Sequence, residues 1–445
     1  MVSGQPGTGT LVYGGLVNLL SGGEFDWGLL SAGGTLNVSG GATTYGLYVS
    51  SGGELNVAGT ATGNITIFAG GIETVSSGGV ASGSSIVDTT LSGGEVDVLS
   101  GGYLTLATVS SGGVLNISGG GSADTIAVSS GGEFNVAGTV SGGVTVFAGG
   151  VETVSSGGVV SGTALAGTEV SGTVNVLSGG TLAFAEILGG GQLYVSSGGD
   201  VSLITVSSGA ALNVAGTVTS DVTVDAGGVE TVSSGGDVTG RHNSGTGLYG
   251  TATVLSGGEF EFATVFSGGS LNVSAGGTVD HISVSSGGVL DVAGTTTSNV
   301  TVSSGGYELV SSGGTAGGTT IAGGTLEVSS GGSLGGNTVT FGANTGTLQL
   351  DNSPNFSGTV AGMTGQDTLD LRYINFATVN VTSSVTMTSA TLTVTDGANT
   401  ANIILLGNYM ASTFTSASDG FGGTSIVDPP VSASQIATLA QNHSG

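Results

Sequence analysis

The chain has 445 residues, room for two or three ordinary domains, yet 92 of them are glycine and only 4 are proline. Collagen is excluded because the glycines do not fall at every third position, and a hydrophobic fraction of 38% with a mean hydropathy of +0.40 excludes a disordered chain. Lys+Arg number 2 against 29 Asp+Glu, a formal charge of −27, so no basic surface exists to neutralise nucleic-acid phosphates or anionic lipid, whereas divalent cations are attracted.

Cysteine is absent, which suits a long repeat stack whose core comes from neighbouring turns rather than from disulfides. The opening stretch, MVSGQPGTGTLVYGG, lacks a basic region and an apolar core, so no Sec-type signal is read there. No apolar run is long enough to predict a membrane-spanning helix. Segment 11–45 has repeat-like text but less regular spacing, and it holds the only tryptophan, Trp27, in GEFDWGLL. A bulky residue in an atypical end repeat predicts a cap over the first rung, so 1–45 is assigned to an N-terminal cap and irregular rungs.

From 46 to 345 the text repeats. Ala-Gly-Thr recurs at 58–60, 137–139, 215–217 and 293–295, at intervals of 79, 78 and 78. Glu73, Glu152, Glu230 and Glu308 keep the same beat, in GGIETVSSGG, GGVETVSSGG (twice) and GGYELVSSGG. Within a copy the turn glycines divide the sequence into units of 18, 23, 19 and 19 residues, four to a copy. Between the turns the text alternates, as in Leu55-Asn56-Val57 and Phe134-Asn135-Val136, which is the two-residue period of a strand. A sandwich would show fewer strands at irregular spacing. One short motif recurring over more than 300 residues fits stacked parallel rungs instead, in which equivalent residues lie on top of one another. The expected fold is all-β, a right-handed parallel β-helix (β-solenoid) of about 16 rungs of roughly 20 residues.

From 346 glycine thins out and longer alternating runs appear, in LQLDNSPNF, DTLDLRYINF, ATLTVTDG and NIILLGNY. Residues 346–430 are read as a separate β-rich C-terminal cap or secretion-associated domain, and 431–445 as a tail with at most one helical turn around SASQIATLAQ.

The run VSSGG-x-x-x-V-x-x-GG-x-x-x-GT, carried for example by Gly70-Gly71-Ile72-Glu73-Thr74-Val75-Ser76-Ser77-Gly78-Gly79, resembles the strand-loop-strand repeats of autotransporter passengers of the AIDA-like self-associating adhesin type, over roughly 11–340. Phe356-Ser357-Gly358-Thr359-Val360, Leu392 to Gly397, and Asp419 to Thr424 on to Asp428-Pro429-Pro430 are similar to the endings of large type I-secreted proteobacterial repeat proteins. That resemblance implies a secreted protein at the bacterial cell surface, working in adhesion, self-association or biofilm matrix, and the unpaired strand edges of exposed end rungs would allow end-to-end filament growth unless caps block them. It also implies O-heptosylation of serine and threonine by a dedicated transferase. A complete autotransporter ends in an aromatic-girdled membrane β-barrel, and no stretch here matches one. Type I export through a C-terminal signal is therefore expected.

Few residues suggest chemistry. The four periodic glutamates lie four rungs, ~19 Å, apart, too far to share an ion. They are expected to accept backbone N–H bonds at glycine corners or to lie on the solvated face. Arg241 and His242, adjacent in DVTGRHNSGTG, read as a loop variant. His281 lies on a strand beside Asp280, His443 in the tail, and three histidines make a His-rich metal site remote. Asp396-Gly397 and Asp419-Gly420 read as plain turns, with a carboxylate beside Ca²⁺ as the alternative.

No catalytic or cofactor-binding residue is assigned, no metal ligand is identified, and Ca²⁺ is the one candidate cofactor. Lyases of acidic sugars need cationic groups, and Arg241 and Arg372 are the only ones. A carboxylate-pair hydrolase acting on glycans is the enzymatic alternative, and a passive surface spacer the structural one. The expected function is a non-catalytic extracellular adhesive or structural protein. Its partners are other copies of itself or cell-surface glycans, not nucleic acid.

Overall fold

The computed structural model describes residues 9–83, 88–163, 167–240, 245–352 and 356–428. Arg241, His242, His443 and the tail with its expected helical turn lie outside the described residues. Contacts divide the chain into two compact units, Met1–Glu230 and Thr231–Gly445. Across both, the chain is an all-β parallel solenoid of about 18 turns, and its one described helix is a 3-10 turn, Phe376–Thr378.

One turn of the first unit shows how the motif folds. The strand Glu95–Val98 is followed by the corner Gly101-Gly102, the longer strand Tyr103–Val109, a second glycine corner, and the strand Val114–Ile117 that begins the next turn. Glu95–Val98 pairs in parallel with Val114–Ile117, Val96 opposite Leu115, and Leu115 lies opposite Phe134 one turn further on. The long strands form a second parallel column, Tyr103–Val109 beside Ser122–Val128. The interior of this turn is apolar: Val96, Val98, Leu104, Ala107 and Val109 are buried.

Both glycines of a corner are required, for different reasons. Gly101 has φ +77, where a side chain is strained. At Gly102 a Cβ would stand 2.4 Å from the Val75 carbonyl oxygen of the turn below. The corner's N–H groups then bond along the stack, Gly101 N to Gly120 O at 2.8 Å and Tyr103 N to Gly79 O at 3.0 Å.

The long strand contains a third corner without glycine. Pairing runs Thr105 to Asp124 and resumes at Ala107 to Ile126, and the skipped residues, Leu106 and Thr125, have φ +56 and +55. Trp27, Phe184 and Leu203 occupy the same conformation in other turns of this unit. The extra residue turns the backbone and makes each turn three-sided. Trp27 was expected to cap the first rung. It sits instead at such an outward corner, 40% exposed and edge-on to Tyr45 at 5.3 Å, while the first strand, Thr10–Tyr13, pairs in parallel with Glu24–Ser31.

In the second unit one column runs in parallel from Thr251–Val254 to Thr368–Leu371 and the other from Glu259–Val265 to Thr359–Ala361. The parallel stack therefore continues past 346, where a separate β-rich domain was expected to start. What changes there is the corner chemistry, since the glycine pairs give way to longer connections, and the turns after 346 raise the turn count above the expected 16. Antiparallel structure follows. Thr400–Leu406 adds in parallel to Thr359–Ala361 and pairs antiparallel with Ser389–Thr395, which pairs with Asn380–Val385. Thr424–Val427 pairs antiparallel with both Thr368–Leu371 and Thr415–Ser418. Leu369, Leu371, Leu392, Ile403, Leu405 and Ile426 join this end into the core.

Candidate functional site

Register turns single residues into ladders on the outside of the stack. On the short-strand face Asn37 Nδ2 donates to Asn18 Oδ1 at 2.7 Å and Asn56 Nδ2 to Asn37 Oδ1 at 2.9 Å. Higher in the same column Asn116 Nδ2 donates to Asp97 Oδ1 (2.9 Å) and Glu95 Oε1 (3.0 Å), and Asn135 Nδ2 donates to Asn116 Oδ1 (3.0 Å). An amide carries both donor and acceptor, so it continues a ladder in either direction, whereas a carboxylate only accepts. At the corners Ser77, Ser100, Ser111 and Ser130 are exposed. The stack thus presents hydroxyl and amide rows at one strand spacing, ~4.8 Å.

The periodic glutamates are not part of this surface. Glu73 lies between Leu55 and Val96 in the inward column, Glu152 between Phe134 and Val174, and Glu308 between Leu290 and Leu326. All four, Glu230 included, have 0% exposure. The expectation of a solvated face or a backbone N–H cradle is corrected: no backbone donor reaches them, and neither carboxyl oxygen of Glu73, Glu152 or Glu230 has a hydrogen-bond partner. The reason is positional, because the second residue of each short strand points inward, and GGIETV sets Glu73 where GGELNV sets Leu55.

Burial in this apolar column pushes the carboxyls of Glu73, Glu152 and Glu230 up to about 8. Each is therefore a neutral acid at pH 7. Glu308 differs. Thr319 Oγ1 donates to its Oε2 at 2.9 Å, which favours the ionised form and holds the carboxyl at about 7 against the desolvation that raises it. Sequence reading missed the threonine that meets Glu308, and it also missed that Thr89 and Thr168, each 16 residues after a buried glutamate, are themselves buried. The hydroxyls of Thr89 and Thr168 have no partner.

The remaining candidates stay apart. His281 stands at an outward corner of the second unit (φ +53), stacked on Phe262 with ring centroids 4.5 Å apart. Its Nδ1 lies 3.2 Å from Asp280 Oδ2 and its Nε2 3.0 Å from Asn299 Nδ2. Asp396 accepts from the backbone N–H groups of Asn375, Ala398 and Asn399, which hold its carboxyl well below the usual range, and Asp419 accepts from those of Phe421 and Gly423. Both carboxylates close turns. Arg372 lies over Phe421 at 5.4 Å, with Nε 3.6 Å from Asp370 Oδ2. Among the described residues no group of three or more His, Cys, Asp or Glu could hold a metal ion, and no helix is long and apolar enough to cross a membrane.

No family model and no curated protein sequence matches the chain. A solved structure does: the TibC-catalyzed hyper-glycosylated TibA55-350 fragment is 33% identical, with a TM-score of 0.54, over 60% of this chain and 96% of that one. An alginate lyase from Paenibacillus sp. str. FPU-7, 11% identical at a TM-score of 0.11, has no bearing on the fold.

Proposed function

Because the chain belongs to the same strand-loop-strand repeat family as the TibA fragment, the AIDA-like autotransporter passenger repeats, we propose that it is a secreted, surface-displayed adhesin-like structural protein. Its polar faces hold copies of the chain, or cells carrying it, together. The observation that carries this reading is the in-register ladder Asp97–Asn116–Asn135, a flat row of donors and acceptors that a second such row can meet. The charge of −27 opposes close approach, so contact between copies depends on Ca²⁺ or another divalent cation. The exposed corner serines suit glycosylation such as the hyper-glycosylated TibA fragment carries. The reading is non-catalytic, resting on the regularity of the repeat and on two cationic side chains in 445 residues.

The test is a settling assay with bacteria displaying the chain, with and without calcium, beside an Asn116→Lys/Asn135→Lys variant. Calcium-dependent settling weakened in the variant is expected. Settling no faster than undecorated cells, in either condition, refutes adhesion.

A further inference from the structure

We propose that Glu73, Glu152 and Glu230 are proton-gated joints of the solenoid: while protonated they seat in the core and the stack closes through their turns, and when the proton leaves, the turn that holds each one opens to water. This is independent of the adhesive reading and stands on geometry.

Packing does not require glutamate at these positions. Leu55, Leu115 and Leu193 fill the same inward position in other turns of the unit, so the site accepts an apolar side chain. A residue that gives up that burial, once per 78-residue repeat, is placed rather than tolerated. Nothing nearby neutralises an ionised form. For Glu152 the residues stacked below and above are Phe134 and Val174, and the other two sides of its own turn present Val160, Thr168 and Val170. Among the described residues of the first unit, Glu73, Glu152 and Glu230 are the only buried charged residues. Among the described residues no titratable or charged group faces Glu73 or Glu152 from the strands packed against them, and a carboxylate there must either keep its proton or reach water.

The sign of the linkage follows. Unfolded, these carboxyls ionise near their ordinary 4.5, and folded they keep the proton up to about 8. Full stability is present below the unfolded value and is lost progressively between the two, as the open form releases a proton that the closed form retains. Opening of each joint therefore rises about tenfold per pH unit until pH reaches the folded value. The first unit has no histidine, the side chain that would otherwise answer to pH in this range.

Amide hydrogen exchange of the full chain at pH 6, 7, 8 and 9, each rate normalised to that of the unfolded chain, measures the opening turn by turn. Peptides over Ile72–Val75 and Val151–Val154 are expected to open about a hundredfold more at pH 8 than at pH 6, while Val114–Ile117, with Leu115 in the same position, changes by less than about twofold. Glu152→Gln should flatten the response of its own turn and leave that of Glu73 intact. If the glutamine variant does not fold, Glu152→Leu serves the same comparison, since leucine is native at this position in other turns. Equal pH response in the Glu and Leu turns, or an unchanged response in the Glu152 variant, overturns the proposal.

Discussion

Replacing Gly102 with alanine places a Cβ 2.4 Å from the Val75 carbonyl oxygen and 3.0 Å from its carbon. Ordinary contact begins about 1 Å further out, so the corner has to move away from the turn below by roughly that amount. The bonds that would stretch are Tyr103 N to Gly79 O (3.0 Å) and Leu99 N to Val75 O (2.8 Å). Losing two such bonds at about 1 kcal/mol each, with residual strain, gives a local destabilisation of about 2–4 kcal/mol. Gly101→Ala is the internal control. Its φ of +77 costs an L-residue about 1–2 kcal/mol, but the nearest obstruction is the Ser77 hydroxyl at 2.8 Å, which rotates aside. The order Gly102→Ala worse than Gly101→Ala is thus expected, with the loss confined to the turns beginning at Ile72 and Glu95 because each rung contacts only its neighbours. Hydrogen exchange resolved by turn, together with the urea midpoint, measures both. If Gly102→Ala is no worse than Gly101→Ala, the carbonyl clash does not set the corner and the account of the glycine pair fails.

Three further substitutions probe other parts of the fold. Leu106→Val should destabilise by about 1–2 kcal/mol because a β-branched residue resists positive φ, whereas Leu106→Gly should stay within about 0.5 kcal/mol of the parent, compared by urea midpoint. Asn116→Leu removes both donors to Glu95 and Asp97 and the acceptor for Asn135, and should lower stability by about 1 kcal/mol in the same assay, since water reaches the stranded partners. Thr319→Val removes the one hydroxyl that favours ionised Glu308, so its carboxyl should rise from about 7 toward the value near 8 of the other three glutamates. NMR titration of the Glu308 carboxyl carbon checks this directly. A carboxyl value that falls or stays fixed would show that the hydroxyl does not set it.

Strands and corners were legible because both have local signatures: the alternation in Leu55-Asn56-Val57, and glycine pairs whose spacing repeats. The bend inside the long strand was not. In YLTLATV simple alternation from Leu104 sends Leu106 inward, yet Leu106 is the skipped corner residue and the interior takes Ala107 and Val109. One positive-φ residue shifts the parity of everything after it, and leucine gives no hint of that conformation. The glutamates show a different failure. Their inward placement could be read by aligning GGIETV with GGELNV, but the expectation that a carboxylate faces water overrode the register. The boundary at 346 misled because texture and topology part company there: the parallel column persists to Leu371 after the glycine pairs have ended.

The same register that makes the polar ladders makes the buried acids matter. In a solenoid an inward position is stacked on its equivalents above and below, so an ionised Glu152 is flanked by Phe134 and Val174 and cannot reach water without opening its own turn. Two joints in successive repeats are four turns, ~19 Å, apart, with apolar turns between them. At that distance their charges are screened from one another once solvated, and each opens on its own proton. The unit should therefore loosen one joint at a time as pH rises, with the leucine turns between acting as breaks that keep an opening from spreading. A stack with leucine at every inward position would have no such joints, and its response to pH would come only from its surface charge.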